Sequence, residues 1–244
     1  MVHRRAHAWR GFYNRNQLGS QTSTPSDRNG LEARMHAKMR QRLLALALVT
    51  LNLAATSNAR SEDLGDCNQR APAAGQIDAC TRFIQSGHQS NVRLGMAYLY
   101  RATAYDAEGD HTSAIADFSA SIGLFPIPPV YSMRGLDYAV TGDRNRAMAD
   151  LNKAIQLQPT LDIHYVARGL AHLILKEPDP AIADFDSALQ MRRESAPALY
   201  GRGIAYAQQG DRARARYDIT AARAINPHID ALFAKYHIVV PEER

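Results

Sequence analysis

The sequence lacks the motifs that mark several classes of enzyme. It has two cysteines and one tryptophan in 244 residues, and it contains no HExxH, GxSxG, phosphate-loop or CxxC motif. Nothing therefore indicates a zinc hydrolase, a serine hydrolase, a nucleotide-binding loop or a dithiol redox centre. The nine histidines are scattered along the chain. We predict no catalytic residues, no metal site and no cofactor, and we expect a non-enzymatic protein.

Most of the chain lacks an excess of basic over acidic residues, although the formal net charge is +5. Residues 1–59 contain nine Lys and Arg against two Asp and Glu, whereas the rest of the chain contains 20 against 22. A nucleic-acid-binding protein is expected to carry a basic stripe or an aromatic stacking platform. Residues 60–244 have neither, and we predict no nucleic-acid partner.

Long apolar runs are also rare, and the longest is Leu43–Thr56, which is interrupted by Asn52. Basic residues precede it, and the small residues up to Ala59 follow it. A membrane-spanning helix needs about 20 apolar residues, whereas a secretory signal peptide has this length and these flanks. We predict a signal peptide over 35–59, cleavage after Ala59 and no membrane span in the mature chain. The alternative is a buried helix in a cytoplasmic protein.

The segment before this run, residues 1–34, is rich in Arg, Ser, Thr, Asn and Gly and shows no sustained apolar period. This composition is typical of a flexible basic arm. A start at Met35 or Met39 would give the signal peptide an ordinary length, so we expect residues 1–34 to precede the true start. An organelle transit peptide is the alternative interpretation.

Residues 95–227 repeat with a period of 33 to 34 residues, and the repeat units begin at 95, 128, 162 and 196. Small residues recur where two antiparallel helices would approach closely, and larger ones recur where space between helices must be filled. The small residues stand at positions 8, 20 and 27 of the repeat: Ala102, Gly135, Gly169 and Gly203; Ala114, Ala147, Ala181 and Ala215; Ser121, Ala154, Ala188 and Ala222. The larger ones stand at positions 4, 11 and 24: Tyr98, Tyr131, Tyr165 and Leu199; Tyr105, Tyr138, His172 and Tyr206; Phe118, Leu151, Phe185 and Ile219.

Turn residues recur at the same period. A glycine suits the left-handed residue that closes the first helix, the following aspartate can cap the second helix, and a proline ends it. These residues are Gly109, Gly142 and Gly210; Asp110, Asp143 and Asp211; and Pro126, Pro159 and Pro227. The pattern predicts a series of helical hairpins.

In these positions residues 95–227 resemble the tetratricopeptide repeat family. The resemblance implies an all-α fold, an αα-hairpin solenoid forming a right-handed superhelix of about four repeats with capping helices at both ends. The third repeat departs from the pattern, with His172 for the aromatic residue, Lys176 for the loop glycine and Arg193 for the proline. Asp179 and Pro180 offer a substitute start for its second helix.

The lead-in, residues 60–94, contains both cysteines. One helical face of the segment around Cys80 carries the apolar residues of a half-repeat helix: Ile77, Cys80, Phe83 and Ile84. In an exported protein two cysteines predict a disulfide between Cys67 and Cys80. The alternative, for a protein that stays in the cytosol, is a pair of reduced thiols packed as small apolar groups.

Charged residues repeat as well. Position 7 is always arginine and position 23 is always aspartate, which suggests a ladder of structural ion pairs, because half-buried charges are normally paired. We expect each aspartate to pair with the arginine of the following repeat, and Lys235 to close the series at Asp218. The expected pairs are Asp117 with Arg134, Asp150 with Arg168, and Asp184 with Arg202. The alternative is that the arginines, including Arg101, bind an anionic ligand.

The resemblance also implies that the first helix of each repeat lines a concave groove, which here is largely apolar. The residues that we expect to contact a partner are Leu99, Tyr100, Thr103, Met133, Leu136, Val140, Leu170, Leu173, Ile174, Tyr200 and Ile204. Family members that clamp a carboxylate tail use Lys, Arg and Asn there, and none occurs in this groove. An apolar groove suits an amphipathic helix, an extended segment or another copy of the chain. Alternatively, the terminal helices fold back and fill it.

Two further segments carry recognisable patterns. Residues 228–244 place apolar residues on one helical face, which predicts a capping helix over the last repeat and a short tail. Asp106, Glu108 and Asp110 alternate like the start of a calcium loop, but His111 stands in place of the turn glycine. We interpret these acids as a solvated turn between helices.

Together these features predict an exported, non-enzymatic protein–protein interaction module that binds a partner segment of unknown identity, secreted or in a bacterial periplasm. The alternative is a self-assembling scaffold of the cell envelope, in which another copy occupies the groove. A metal-dependent module or an enzyme would need a convergent polar pocket, which the sequence alone does not indicate.

Overall fold

A computed structural model describes residues 64–68, 72–87 and 89–240. These residues form helices and no strands, which confirms the all-α prediction. The arm over 1–34 and the signal peptide over 35–59, with its cleavage site at Ala59, lie outside the described residues. Among the helices that the structure describes, none combines the length and the apolar character that a membrane crossing requires.

The helices of the described residues follow one another with short connections. In chain order they are α1 (Leu64–Asn68), α2 (Ala73–Gln85), α3 (Asn91–Glu108), α4 (His111–Leu124), α5 (Pro128–Val140), α6 (Arg144–Leu157), α7 (Asp162–Ile174), α8 (Pro178–Met191), α9 (Ala196–Gln208), α10 (Arg212–Ile225) and α11 (Ile229–Ala234).

Helices α3 to α10 form consecutive antiparallel hairpins: α3 with α4, α5 with α6, α7 with α8, and α9 with α10. The second helix of each hairpin packs on the first helix of the next, and α5, α7 and α9 also pack on one another. Helix α2 packs on α3 at one end, and the short α11 packs on α9 at the other. This is the predicted αα-hairpin solenoid.

The turns within three hairpins adopt the predicted geometry. Gly109 and Gly142 both have φ of 81°, and Gly210 has φ of 85°, a left-handed conformation that glycine adopts without steric cost. The aspartate after each glycine caps the next helix, because its side chain accepts a hydrogen bond of 3.0 Å from a backbone N–H in the first turn. The predicted turn roles of these glycines and aspartates are confirmed.

The third hairpin makes the same turn with different residues. Lys176 adopts φ of 63°, and the backbone N–H of Glu177 donates to the His172 carbonyl at 2.8 Å, as in the other turns. Helix α8 begins at Pro178, so the expected cap at Asp179 is wrong: the N-cap residue is Glu177, whose side chain makes no capping hydrogen bond. The packed hairpin imposes the turn on a lysine that does not favour it.

The small residues at the repeat positions lie where helices touch, as predicted. A Cβ atom on Gly135 would lie 2.8 Å from Leu151 Cγ. Gly201, which lies outside the predicted set, makes a closer contact: a Cβ atom there would lie 2.3 Å from the ring of Phe185. Phe185 also lies against Gly169, so its ring is held between α7 and α9 and is fully buried. At these positions glycine permits an approach that a methyl group would block.

At the N-terminal end, α1 and α2 form a small apolar layer against α3. The sulfur atoms of Cys67 and Cys80 lie 1.95 Å apart, at bonding distance. Both cysteines are fully buried and pack with Phe83 and Ala97. The layer therefore covers the apolar end of the first hairpin.

Candidate functional site

The repeated arginines and aspartates do form a ladder, but the expected pairing between repeats is wrong. Each arginine binds the aspartate of its own hairpin through two hydrogen bonds. The pairs are Arg101–Asp117, Arg134–Asp150, Arg168–Asp184 and Arg202–Asp218, with donor–acceptor distances between 2.6 and 3.0 Å. The pairs expected instead, Asp117–Arg134, Asp150–Arg168 and Asp184–Arg202, do not form.

The turn explains this pairing. Arg134 and Asp150 each stand eight residues from Gly142, and residues equally distant from the turn of an antiparallel hairpin lie side by side. The same relation holds in the other three hairpins. This spacing is present in the sequence and could have identified the correct partners.

Each ladder arginine also reaches back to the preceding layer through its third nitrogen. Arg134 donates to Ser119 Oγ at 2.9 Å, Arg168 to Asn152 at 2.6 Å, and Arg202 to Asp186 at 2.6 Å. Arg101 does the same toward Thr81 of α2 at 3.0 Å. The arginines therefore do link consecutive repeats, as the sequence suggested, but the hydrogen bond is accepted by a residue other than the expected aspartate.

Tyrosines flank the ladder. The guanidinium carbon of Arg134 lies 6.0 Å from the ring centre of Tyr131 and 5.7 Å from that of Tyr138, so the charge has an aromatic ring on either side. The hydrogen bonds to Asp150 raise the pKa of Arg134 above its usual value despite burial. A guanidinium group with all of these partners is engaged within the protein, which argues for the structural role of the ladder.

The concave face carries a cavity of about 350 Å³. Its walls are mostly apolar and come from α5, from α7 and from α11 with the residues after it, which we call the C-terminal segment (229–240). They include Met133, Leu136 and Ile163. Met133 and Ile163 are exposed, at 40% and 45%. A partly open apolar cleft of this size with a few polar groups is typical of a binding site.

Only part of the predicted groove lines this cavity. Of the predicted contact residues, the cavity is lined by Met133, Leu136 and Leu170. Leu173, Tyr200 and Ile204 are buried in the core, so their expected exposure is wrong. The others are partly exposed outside the cavity lining: Leu99, Tyr100, Thr103, Val140 and Ile174.

The C-terminal segment causes the burial of the last repeat. The ring of Phe233 on α11 lies 4.8 Å from the ring of Tyr200, whose hydroxyl donates to Asp230 at 2.5 Å. Burial and the Asp230 carboxylate raise the pKa of Tyr200 to about 12. The alternative considered from the sequence, in which a terminal helix fills the groove, therefore holds for this end of it.

Lys235 follows α11 and lies far from its expected partner. Its ammonium group pairs with Asp106 of α3, 129 residues earlier in the sequence, instead of with Asp218. Asp218 already has both oxygens bound to Arg202. Tyr236, the next residue, lines the cavity. The C-terminal segment therefore crosses the concave face.

A polar cluster lies beside Lys235 at the edge of the cavity. The Nδ1 atom of His111 lies 2.8 Å from Asp137 Oδ1 and 3.6 Å from Asp106 Oδ1. Burial, followed by the neighbouring Asp106 carboxylate, raises the pKa of Asp137 to about 8, and Lys235 acts in the opposite direction. Burial and the carboxylates of Asp106 and Asp137 raise the pKa of Tyr236. Of the three acids that we interpreted as a solvated turn, Asp106 lies within α3 and belongs to this cluster, so the interpretation is wrong for it. Glu108 and Asp110 take no part in the cluster.

A second buried polar pair borders the cavity. The Nδ1 atom of His164 lies 2.8 Å from Ser132 Oγ, and its Nε2 atom has no hydrogen-bond partner. Burial lowers the pKa of His164. Sequence reasoning missed both this pair and the cluster, because each breaks the repeat: position 10 is Asp137 in the second repeat and alanine in the others.

The comparisons with known proteins agree with this geometry. Residues 128–161 match the family model described as tetratricopeptide repeat. The structure of TTC0263, a thermophilic TPR protein of Thermus thermophilus, has a TM-score of 0.55 at 16% identity, covering 68% of this chain and 91% of that one. No curated protein sequence matches the chain.

Two further solved structures are similar in fold. A chain of the APC/C hetero-tetramer Cut9–Hcn1 has a TM-score of 0.55 at 16% identity, covering 68% of this chain and 33% of that one. A crystal structure of MamA has a TM-score of 0.51 at 21% identity, covering 64% of this chain and 89% of that one. At these identities the likeness concerns the fold.

Proposed function

Because the chain is a tetratricopeptide repeat protein, we propose that it is an exported, non-enzymatic module that binds an apolar segment of a protein partner on its concave face. The observation that carries this proposal is the cavity of about 350 Å³ between α5, α7 and the C-terminal segment. Helical-repeat proteins use their concave surfaces for protein binding, and an apolar groove suits an amphipathic or extended segment.

The exposed side chains of the cavity support a partner of apolar character. Met133 and Ile163 are exposed on the concave face, and Pro129 and Pro197 lie beside them in the cavity wall. Exposed apolar groups that form one contiguous surface mark interaction sites, whereas single exposed ones do not. The ladder side chains are already paired with one another, so an anionic ligand is the weaker candidate.

Site-specific photo-crosslinking tests this proposal. A photoreactive residue at Ile163 should form an adduct with a partner in cells, because that side chain faces the cavity. The same residue at Leu157, equally exposed at 46% on α6 and outside the cavity, is the matched control. Met133→Glu should reduce the adduct at position 163. Equal adducts at both positions would contradict a specific concave site.

Export is part of the proposal. It is supported by the signal-like segment 35–59 and by the buried sulfur pair of Cys67 and Cys80, since disulfides persist in oxidising compartments. We expect the protein in the envelope fraction to begin near Arg60 and, when unfolded in denaturant, to resist alkylation until it is reduced. Recovery of peptides between His3 and Arg28 from the cellular protein would contradict the proposed processing.

A self-assembling envelope scaffold is the second candidate. Tyr217 on α10 is 76% exposed, and the other repeats carry an exposed alanine at this position. An exposed tyrosine at the end of the solenoid could contact another copy. Sedimentation over a range of concentrations tests this: a dimer that Tyr217→Ser dissolves would favour the scaffold, and a monomer throughout would favour the interaction module.

A further inference from the structure

Three ionisable side chains from consecutive helices meet at the edge of the cavity. Asp106 lies near the end of α3, His111 begins α4, and Asp137 lies within α5. Their ligand atoms all lie within 4.8 Å of one another. The repeat fold does not require them, because the other repeats carry a buried alanine in place of Asp137. The cluster is therefore specific to this part of the protein.

Two carboxylate oxygens in this cluster lack a hydrogen-bond partner. Asp137 is 1% exposed and its Oδ2 atom is unpartnered, as is the Oδ1 atom of Asp106. A buried carboxylate oxygen without a partner is costly. Either a proton shared between Asp106 and Asp137, in keeping with the raised pKa of Asp137, or a bound cation satisfies these atoms. The open side of the cluster is accessible, since the side chains of His111 and Asp106 are 19% and 18% exposed.

We propose that Asp106, His111 and Asp137 bind a divalent transition-metal cation, for which Zn²⁺ is the representative. Imidazole nitrogen with carboxylate oxygen is a donor set that suits Zn²⁺ and its neighbours, whereas Mg²⁺ and Ca²⁺ prefer oxygen alone. In a site with bonds of about 2.0 to 2.2 Å, neighbouring ligand atoms lie roughly 3.3 Å apart. The observed separations from His111 Nδ1, 2.8 Å to Asp137 and 3.6 Å to Asp106, lie on either side of that value.

Lys235 competes with the cation. Its ammonium group pairs with the Oδ2 atom of Asp106 and supplies positive charge to the two carboxylates. A bound cation takes over that role, and repulsion between like charges displaces the ammonium group. If the cluster binds a metal ion, replacing Lys235 by an uncharged residue therefore tightens metal binding. If the cluster is only an internal set of ion pairs, the same replacement destabilises it.

Equilibrium dialysis of the full chain, produced without a histidine tag and stripped with a chelator, tests the site with Zn²⁺ as the probe and Mg²⁺ as the comparison. We expect one equivalent of Zn²⁺ above the background of surface histidines. Asp137→Asn and His111→Ala should each weaken its binding by roughly 100-fold. The matched control His228→Ala, at an exposed histidine, should leave that equivalent in place.

A second variant separates a metal site from a structural cluster. Lys235→Met should increase Zn²⁺ affinity about tenfold, the effect of removing one nearby like charge. Far-UV circular dichroism establishes that each variant is still helical, and His111→Gln replaces His111→Ala if the latter does not fold. The proposal is overturned if the wild type binds no Zn²⁺ above background, if Asp137→Asn binds it equally well, or if Lys235→Met abolishes binding.

Discussion

The ladder and the concave face of this solenoid are built by opposite rules. In the ladder, each hairpin repeats one arrangement in which an arginine binds its own aspartate and reaches back to the preceding layer. On the concave face, the polar contacts occur once each, as between Lys235 and Asp106. A contact that recurs in every layer serves the fold that all layers share. A contact that occurs once is not required by the repeat and belongs to one layer of the molecule.

The largest expected effect is the loss of a ladder carboxylate. Asp150→Ala leaves Arg134 half-buried with only Ser119 as a polar partner, and we expect the free energy of unfolding to fall by about 3 kcal/mol. Asp218→Ala should cost less, because Arg202 keeps a second carboxylate at Asp186. Urea unfolding of both variants measures the difference.

An exposed ion pair provides the control for this comparison. Arg144 and Glu177 pair at 2.7 Å, and the arginine side chain is 56% exposed. Solvent screens such a pair, so Arg144→Ala should lower the urea midpoint far less than Asp150→Ala does. If the two variants lost the same stability, burial would not be the reason for the strength of the ladder.

A methyl group at the tightest helix contact should have the next largest effect. Gly201→Ala places a Cβ atom 2.3 Å from the Phe185 ring, and overpacking of this kind costs about 2 kcal/mol. Gly123→Ala, in a helix where a Cβ would meet nothing within 4 Å, should instead stabilise the protein by up to about 1 kcal/mol. Thermal unfolding of the two variants should shift in opposite directions.

The concave face should show a pH dependence near neutrality. Burial lowers the pKa of His164 below its usual value near 6.5, so the unfolded chain binds a proton more readily than the folded chain does. The contribution of His164 to stability should therefore be complete above about pH 6.5 and fall as the pH drops below it, by about 1.4 kcal/mol for each unit of pKa difference. Asp137, whose pKa is raised to about 8, contributes with the opposite sign, because the folded chain binds its proton more readily than the unfolded chain does.

Replacing the titrating group tests this assignment. His164→Gln should remove this contribution, so the stability of the wild type relative to the variant should fall between about pH 7 and 5, measured as the difference in urea midpoint in the presence of a chelator. His228→Gln, at an exposed position, should leave the profile unchanged. A wild-type slope that persists in His164→Gln would place the pH dependence elsewhere.

The smallest expected effect concerns the turn of the third hairpin. Lys176→Gly removes a left-handed lysine at φ of 63° and should stabilise the protein by about 1 kcal/mol. Gly142→Ala introduces the same backbone strain at φ of 81° and should destabilise the protein by a similar amount. A Cβ there would meet no atom within 4 Å, so packing does not contribute. Equal stability of the wild type and Lys176→Gly would mean that the turn carries no strain.

The parts of this structure that the sequence predicts are those that recur. Gly142 and Asp143 share a turn pattern with their counterparts in two other repeats, so period and residue type together indicated the hairpins. The sequence indicated which residues form the ladder, but each aspartate was assigned to the arginine of the next repeat instead of its own. The pairing depends on the distance of each residue from the turn. The turn at Lys176 formed although its residue was unfavourable, since helix packing outweighs about 1 kcal/mol of backbone strain.

The concave face could not be predicted in the same way. The contact of Lys235 with Asp106 joins residues 129 positions apart, and neither residue belongs to a repeated set. The burial of Tyr200 depends on the placement of α11, which brings Phe233 and Asp230 against it. Such contacts follow from the tertiary arrangement, which local patterns in a single sequence do not encode.

The backward reach of each ladder arginine has a consequence for the evolution and engineering of the chain. Ser119, Asn152 and Asp186 occupy equivalent positions and all accept a hydrogen bond from the next arginine. Excision of residues 162–195 as one block would bring Arg202 to Asn152, a side chain that already serves as such an acceptor. Units could therefore be deleted or duplicated without redesigning the junction, which makes the length of this solenoid easier to change than its ends.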